Sequence, residues 1–267
     1  MSYIFVPFDY LFNYTLGYLF KGFFYLLKLI LPTSAETVIV KYGTMFIDGI
    51  RTTLNISLFG TIIGLLIAIL FASIRTITIK KTDSKAKKGI FFVIHKIIDL
   101  YVIVFRGTPM MVQAMIIYYG LVGIFNFTPI TAGLIIVSIN TGAYLTEVMK
   151  KGITSVDYGQ KEAAYSLGLS GFQTFIHITL PQAIKTQMAS IGNEFVINIK
   201  DTSVLNVIGC AEMFFVLKTS AASDYHYLET MLVGALIYLI LTLSVTKILS
   251  IIDKRIGSPK VEILSSN

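Results

Sequence analysis

The sequence predicts an all-α, polytopic membrane helix bundle with five core transmembrane helices and an N-terminal helix that is either amphipathic or an extra span. Three observations carry this. Hydrophobic residues make up 55% of the chain and charged residues 14%, against about a quarter charged in a soluble domain. Several apolar runs approach the ~20 residues that a bilayer-spanning helix needs. The cations behind the net charge of +7 gather in a few segments, the pattern by which loops are retained in the cytoplasm rather than the footprint of a nucleic-acid surface. A chain of 267 residues holds one bundle and its loops, and no large soluble domain.

Residues 1–40 form a first unit. Tyr3 to Leu31 is apolar and aromatic, but Asp9, Asn13, Gly17 and Lys21 recur every four residues, and Lys28 lies seven beyond Lys21. One polar face at helical spacing suits a helix lying in the membrane interface. An additional, poorly apolar span is the competing reading. Pro32 ends the segment. There is no basic start followed by a small-residue cleavage site, so no cleaved signal peptide is expected.

Residues 41–255 form the transmembrane unit, and 256–267 a cytoplasmic tail. Met45 to Ile74 contains the first clear span, where Gly60, Gly64, Ala68 and Ala72 share one face at four-residue spacing. Small residues in that register let a partner helix approach closely, and in lipid such contact takes the place of a hydrophobic drive for association. Arg75 to Lys96 is a basic loop, expected inside and attractive to anionic lipid. Residues 97–124 form a second span broken at Arg106 to Pro109, since proline cannot donate and disfavours helix before it. Arg106 is expected towards the cytoplasmic end, and Gln113 follows as a polar group in an apolar run.

Residues 127–149 form the third span, with Asn140 near its middle and Glu147 near its end. The stretch 187–217 carries Asn193, Glu194, Asn198, Lys200, Asp201, Thr202 and Ser203. Lys200 and Asp201 are adjacent, so they need separate partners or a break in the helix. Tyr227 to Ile252 is the last clean span. Polar groups in hydrocarbon mark candidate solute paths, which nominates Gln113, Asn140, Glu147, Asn193, Glu194, Asp201, Thr202 and Ser203. Interhelical hydrogen bonding by Asn140, and pairing of Glu147 with Lys150 or Lys151, are the structural alternatives. His95, His177 and His226 are far apart in sequence and nominate no metal site, and Cys210 stands alone, so no internal disulfide forms.

Between the third and fourth spans, in the loop 150–185, Glu162 to Pro181 reads EAAYSLGLSGFQTFIHITLP. It predicts a hairpin of two short helices. Asp157 to Gln160 and Ser170 to Gln173 each offer a capping oxygen with a glutamine three residues on. Gly168 and Gly171 supply the joint, and Pro181 stops the second helix. Counting crossings from the basic stretch 75–96 puts residue 150 back in the cytoplasm, and two more crossings leave Lys254 and Arg255 inside as well.

The spacing of Glu162, Ala163, Ala164, Gly168, Ile178, Leu180 and Pro181 resembles the EAA loop of ABC importer permeases. Further stretches resemble the polar amino acid uptake branch of that family: Arg106 to Pro109 with Gln113, Asn140 to Tyr144 with Glu147, Gly159 and Gln160 before Glu162, and Gly192 to Phe195 followed by Lys200 to Ser203. The likeness covers roughly residues 43–255 and has no counterpart for residues 1–40. It implies an integral plasma-membrane subunit working as a homodimer or with a similar second permease. A cytoplasmic ABC ATPase would supply energy, and an external solute-binding protein would deliver a polar amino acid or close derivative.

No cofactor is expected in this chain. ATP and Mg belong to the partner ATPase, and no glycine-rich stretch here reads GxxxxGK[ST]. The resemblance assigns ATPase coupling to Gly159, Glu162, Ala163, Ala164, Gly168, Leu180 and Pro181. Glu162 would pair with the ATPase surface, Ala163 and Ala164 would permit its approach, and Gly168 would form the turn. A permease for another small solute, an ATPase-independent carrier or channel, and a membrane-anchored scaffold are the alternatives. The absence of a visible internal repeat speaks against the carrier.

Overall fold

The computed structural model describes residues 33–77, 79 and 82–256, and among these there is helix and no strand. The elements are α1 (Thr33–Thr76), α2 (Lys85–Gly107), α3 (Met110–Phe125), α4 (Pro129–Ser155), α5 (Tyr158–Ser166), α6 (Gly171–Thr174), a π-helical turn (Phe175–Thr179), α7 (Leu180–Asp201), a 3-10 turn (Thr202–Ile208), α8 (Met213–Asp224) and α9 (Tyr227–Ile256). Helix α1 starts directly after Pro32, so the boundary expected at residue 40 falls inside it. The interfacial or spanning helix expected at 4–31 lies outside the described residues.

Among the described residues three continuous helices are long and apolar enough to cross a membrane: Thr37–Thr76, Pro129–Ser155 and Tyr227–Arg255. A fourth crossing comes in two bodies, the run Gly171–Ile208 and α8, bent by 56° at the break between them. The second expected crossing is divided between α2 and α3. Thr108 and Pro109 are extended where they separate. Of the five expected crossings three are unbroken, and the second is divided at Pro109 as expected. Proline and the 3-10 turn interrupt two of them, and a broken helix is tolerated at that depth only where protein or water satisfies its backbone.

The basic stretch 75–96 is not one loop. Ser84 accepts from Lys87 N at 3.2 Å and starts α2 at Lys85, so Lys85, Lys87, Lys88 and Lys96 ride on a helix. The serine oxygen satisfies an amide that helix geometry leaves without a partner.

Helices α1 and α4 form the centre of the bundle. A Cβ placed on Gly60 would lie 2.6 Å from Val137 Cγ1, and one on Gly64 2.9 Å from Thr141 Cβ and 3.0 Å from Gly142 N. Ala68 and Ala72 continue this face, fully buried among Leu145, Met149, Ile153 and Ala183. The facing positions rise together along both helices, so α1 and α4 run parallel. Their C-terminal ends therefore emerge on the same side, which places the residues after Thr76 and those after Ser155 together. A second core joins α1, α8 and α9 around Phe46, Ile50, Leu217 and Ile237. A third joins α4 to the 3-10 turn around Ile136, Val137 and Leu205.

The hairpin also departs from expectation. Pro181 does not end the second helix. The chain runs from α6 through the π turn into α7 with Pro181 in its first turn. Leu180 N–H reaches back to Phe175 O, a wide turn that lets the ring pass without a clash, as wide helical turns do. Nor is the first capping pattern reciprocal. Asp157 accepts from Gly159 N at 2.6 Å without a returning bond from Gln160 among the described residues, whereas Ser170 and Gln173 form the complete box.

Candidate functional site

The hairpin is braced at its root. A Cβ on Gly152 would lie 2.9 Å from Ala183 O, so α4 and α7 touch through backbone where the loop leaves the bundle. From there α5 runs to Leu167, and Gly168 turns the chain at φ +83. Only glycine adopts that conformation without steric cost. Leu169 N bonds back to Ala164 O at 3.1 Å, and the Ser170 box starts the return helix. Glu162, Ala163 and Gly168 are exposed, as are Gly159 and Pro181.

Ala164 is 4% exposed and faces the inside of the hairpin. Leu180 packs against the inner core. The sequence reading missed the exposed apolar residues around the turn: Tyr158, Leu167 at 81% and Phe172 at 75%. Their signal was an apolar residue on either side of a glycine joint in an otherwise polar loop.

The break between α2 and α3 is closed by two side chains. Gln113 Nε2 donates to Phe105 O at 3.0 Å, Thr108 O at 2.9 Å and Thr108 Oγ1 at 2.8 Å. Asn140 Nδ2 donates to Gln113 Oε1 at 2.9 Å and to Phe105 O at 3.2 Å. Carbonyls at a helix end have lost their intrahelical donors, and these two amides replace them from α3 and α4. Gln113 is buried. Arg106, beside the break, stacks its guanidinium over the Tyr144 ring with a centroid distance of 5.3 Å. Tyr144 lies between Asn140 and Glu147 on α4, so Arg106 sits at that level of the bundle. Helix α2 begins well before the level of Arg75 and rises past it, a length that the reading of 75–96 as loop had concealed.

Glu147 is paired with neither Lys150 nor Lys151. Its carboxylate takes the Arg75 guanidinium, which also holds Asp99 at 2.9 Å, tying α1, α2 and α4 at one level. A second polar tie was not nominated as a site. Asn198 Nδ2 donates to Thr61 Oγ1 at 2.8 Å and Thr141 Oγ1 at 2.9 Å, with all three residues buried. It joins α1, α4 and α7 where the small-residue faces meet, and only the tertiary fold brings these positions together.

The remaining candidates separate. Glu194 lies within electrostatic reach of Asp201 and Arg106, which makes a charged cluster across α2 and α7. Asn193, one position round the helix, lines a cavity of about 260 Å³ between α7 and α9 with Thr246, Ser250 and Asp253. Thr202 is fully buried and donates to Ile199 O at 3.1 Å, so it does not face a path. The Ser203 carbonyl accepts from Asn206 Nδ2 at 2.6 Å inside the 3-10 turn. The helix break that Lys200 and Asp201 called for is this turn, which begins directly after Asp201.

Known proteins share this organisation. Residues 86–258 match the family model described as binding-protein-dependent transport system inner membrane component. The arginine transport system permease protein ArtQ of Bacillus subtilis (strain 168) is 33% identical over 79% of this chain and 92% of its own length. The glutamine transport system permease protein GlnP of Escherichia coli (strain K12) is 34% identical over the same shares. A solved amino acid ABC transporter, crystallised with histidines, superposes with a TM-score of 0.68 at 34% identity, covering 81% of this chain and 96% of that one. These relatives are transport subunits, not enzymes. A match across the broken crossing, the hairpin and the last span, at a third identity over nearly the whole of two permeases, places the chain in the family of inner membrane components of binding-protein-dependent transport systems.

Proposed function

We propose that the chain is the transmembrane permease subunit of an ATP-driven importer for a polar amino acid or close derivative, and that the loop 150–185 couples it to a cytoplasmic ABC ATPase. The observation that carries this is the hairpin. It leaves the bundle through a backbone contact at Gly152, presents Glu162, Leu167 and Phe172 outward, and is joined to α7 by continuous helix. A body so connected acts as a lever. Closure of an ATPase pair against Leu167 and Phe172 pushes α7 and, through Asn198, α1 and α4. Glu162 pairs with a cation of the ATPase, and Gly159, Ala163, Gly168 and Pro181 shape the contact. Nucleotide drives the change only because it favours one state over the other.

The solute path follows the charged face of α7. Glu194 and Asp201 suit an ammonium group, and Arg106 suits a carboxylate, which together match a zwitterion. Ser203 and Asn193 lie beside it. Gln113, Asn140 and Glu147 hold the walls of that path through the helix break and the Arg75 triad. A second permease subunit closes the face that one copy leaves open, and an external solute-binding protein delivers the cargo. The test is uptake of labelled arginine and glutamine in a deletion strain, with co-purification of an ATPase from the complemented strain. Loss of uptake that Glu194→Gln fails to restore supports the path. Normal uptake in the deletion strain, or no ATPase held by the chain, overturns the reading.

A further inference from the structure

Helices α1 and α2 diverge on the outside of the bundle and leave a groove of about 610 Å³. Ile67, Phe71 and Ile74 of α1 face Ile94, Ile98 and Phe105 of α2, and its surface is wholly carbon. The one hydroxyl beside it, that of Tyr101, is spent on Ile139 O at 2.5 Å. From Ile94 to Phe105 the groove is about 16 Å long at 1.5 Å per residue, which is about half of a ~30 Å hydrocarbon core. It is therefore one leaflet deep. Its inner end stops at the α2–α3 break. Its outer end opens beside Ile74, where His95 meets Ile74 O at 3.0 Å, on the side that the basic stretch marks as cytoplasmic.

Lys87 stands two turns before Ile94 on the same helical face, beyond the apolar part of the groove, paired with Asp83 at 2.8 Å, and Lys88 next to it leaves the site with more cations than acids. A slot of acyl length ending at lysines has the chemistry of an anionic phospholipid. We propose that the groove holds one anionic phospholipid of the cytoplasmic leaflet, with an acyl chain between α1 and α2 and its phosphate at Lys87. A helix is a poorer occupant. A 16 Å length of helix at about 10 Å diameter fills roughly 1,250 Å³, twice the groove, so it would rest on the rim rather than enter. Through Arg75, which ties α1 to α2 and α4 beside the same mouth, the bound lipid sets the spacing of the helices that move in transport. The site does not rest on which solute is carried.

Native mass spectrometry of the purified full chain, relipidated with phosphatidylglycerol or with phosphatidylcholine of the same acyl chains, tests it. The expected result is one retained lipid, with about fivefold preference for phosphatidylglycerol, the effect of roughly 1 kcal/mol from one lysine at an anionic surface. Ile94→Trp fills the slot and abolishes retention, and Ile97→Trp at the exposed rim repeats the test where the first variant disturbs packing. Leu100→Trp, exposed on another face of α2, retains the lipid. Lys87→Gln keeps a lipid and loses the headgroup preference. Equal retention by Ile94→Trp, Ile97→Trp and wild type overturns the site, and equal retention of the two lipids by wild type overturns the headgroup assignment. A crosslink from Ile97→Cys to residues 1–32 or to a second copy of the chain overturns the site as well.

Discussion

Asn140 donates its side-chain amide to Gln113 across the α2–α3 break, and Gln113 passes its own amide on to the carbonyls of Phe105 and Thr108. Two residues nominated as solute contacts are thereby occupied in holding an interrupted helix together. Gln113→Leu, similar in size, strands Thr108 O, leaves Phe105 O with the Asn140 amide alone, and takes from Asn140 its acceptor. The expected loss is about 1–3 kcal/mol, read as a lowered unfolding midpoint in detergent. Asn140→Leu alone should cost less, because Gln113 still reaches both carbonyls. The double variant should cost less than the two singles together, and additive losses would show that the two amides do not act as one unit.

Gly64→Ala tests the α1–α4 contact. Its Cβ meets Gly142 N at 3.0 Å, and backbone cannot rotate away as a side chain can. Overpacking of this kind costs about 1–3 kcal/mol. Gly43→Ala on the same helix meets nothing within 4 Å and should stabilise slightly, by about 0.5–1 kcal/mol from helix propensity. Thermal unfolding of the two variants should shift in opposite directions.

Gly168 has open space around its Cα and a φ of +83, so any effect of substitution there is one of backbone conformation. Gly168→Val should uncouple ATP hydrolysis from uptake, with hydrolysis by the partner retained. Gly168→Asn, which tolerates the left-handed region, should keep most of the coupling. The ratio of transported solute to ATP hydrolysed is the measurement. If both variants transport normally, the turn has no part in the lever. Leu167→Ser and Phe172→Ser should weaken retention of the ATPase during purification while leaving the midpoint of the permease unchanged.

Arg75 holds Asp99 and Glu147 together. Arg75→Ala leaves two carboxylates facing each other. Removing one member of a buried ion pair costs about 3–5 kcal/mol, and because Asp99 stays partly exposed the expected loss here is about 2 kcal/mol. Glu147→Gln keeps a hydrogen-bond acceptor for Arg75 and should cost less than half of that. A midpoint for Arg75→Ala equal to that of wild type would show that the triad is solvated rather than structural.

Much of the bundle was legible because composition and spacing have a direct physical meaning in lipid. Four-residue spacing of Gly60, Gly64, Ala68 and Ala72 announces a close helix contact, and Pro109 announces a break. Errors arose where local signals were read without their partners. Pro181 was read as a stop, because the π turn that lets it continue is not written in any single residue. The lysines from Lys85 onward were read as loop because charge hides a helix whose apolar side faces away from water.

The sequence by itself determined that the chain is helical and membrane-embedded, and that the hairpin belongs to a loop between spans. Those properties follow from hydropathy, charge bias and turn chemistry, which act over a few residues. Tertiary structure alone decided what the polar residues do. Gln113 and Asn140 meet across 27 positions, Arg75 and Glu147 across 72, and Thr61 and Asn198 across 137. In an apolar medium a polar group takes the partner that the packing of helices brings to it, and no local pattern records that choice.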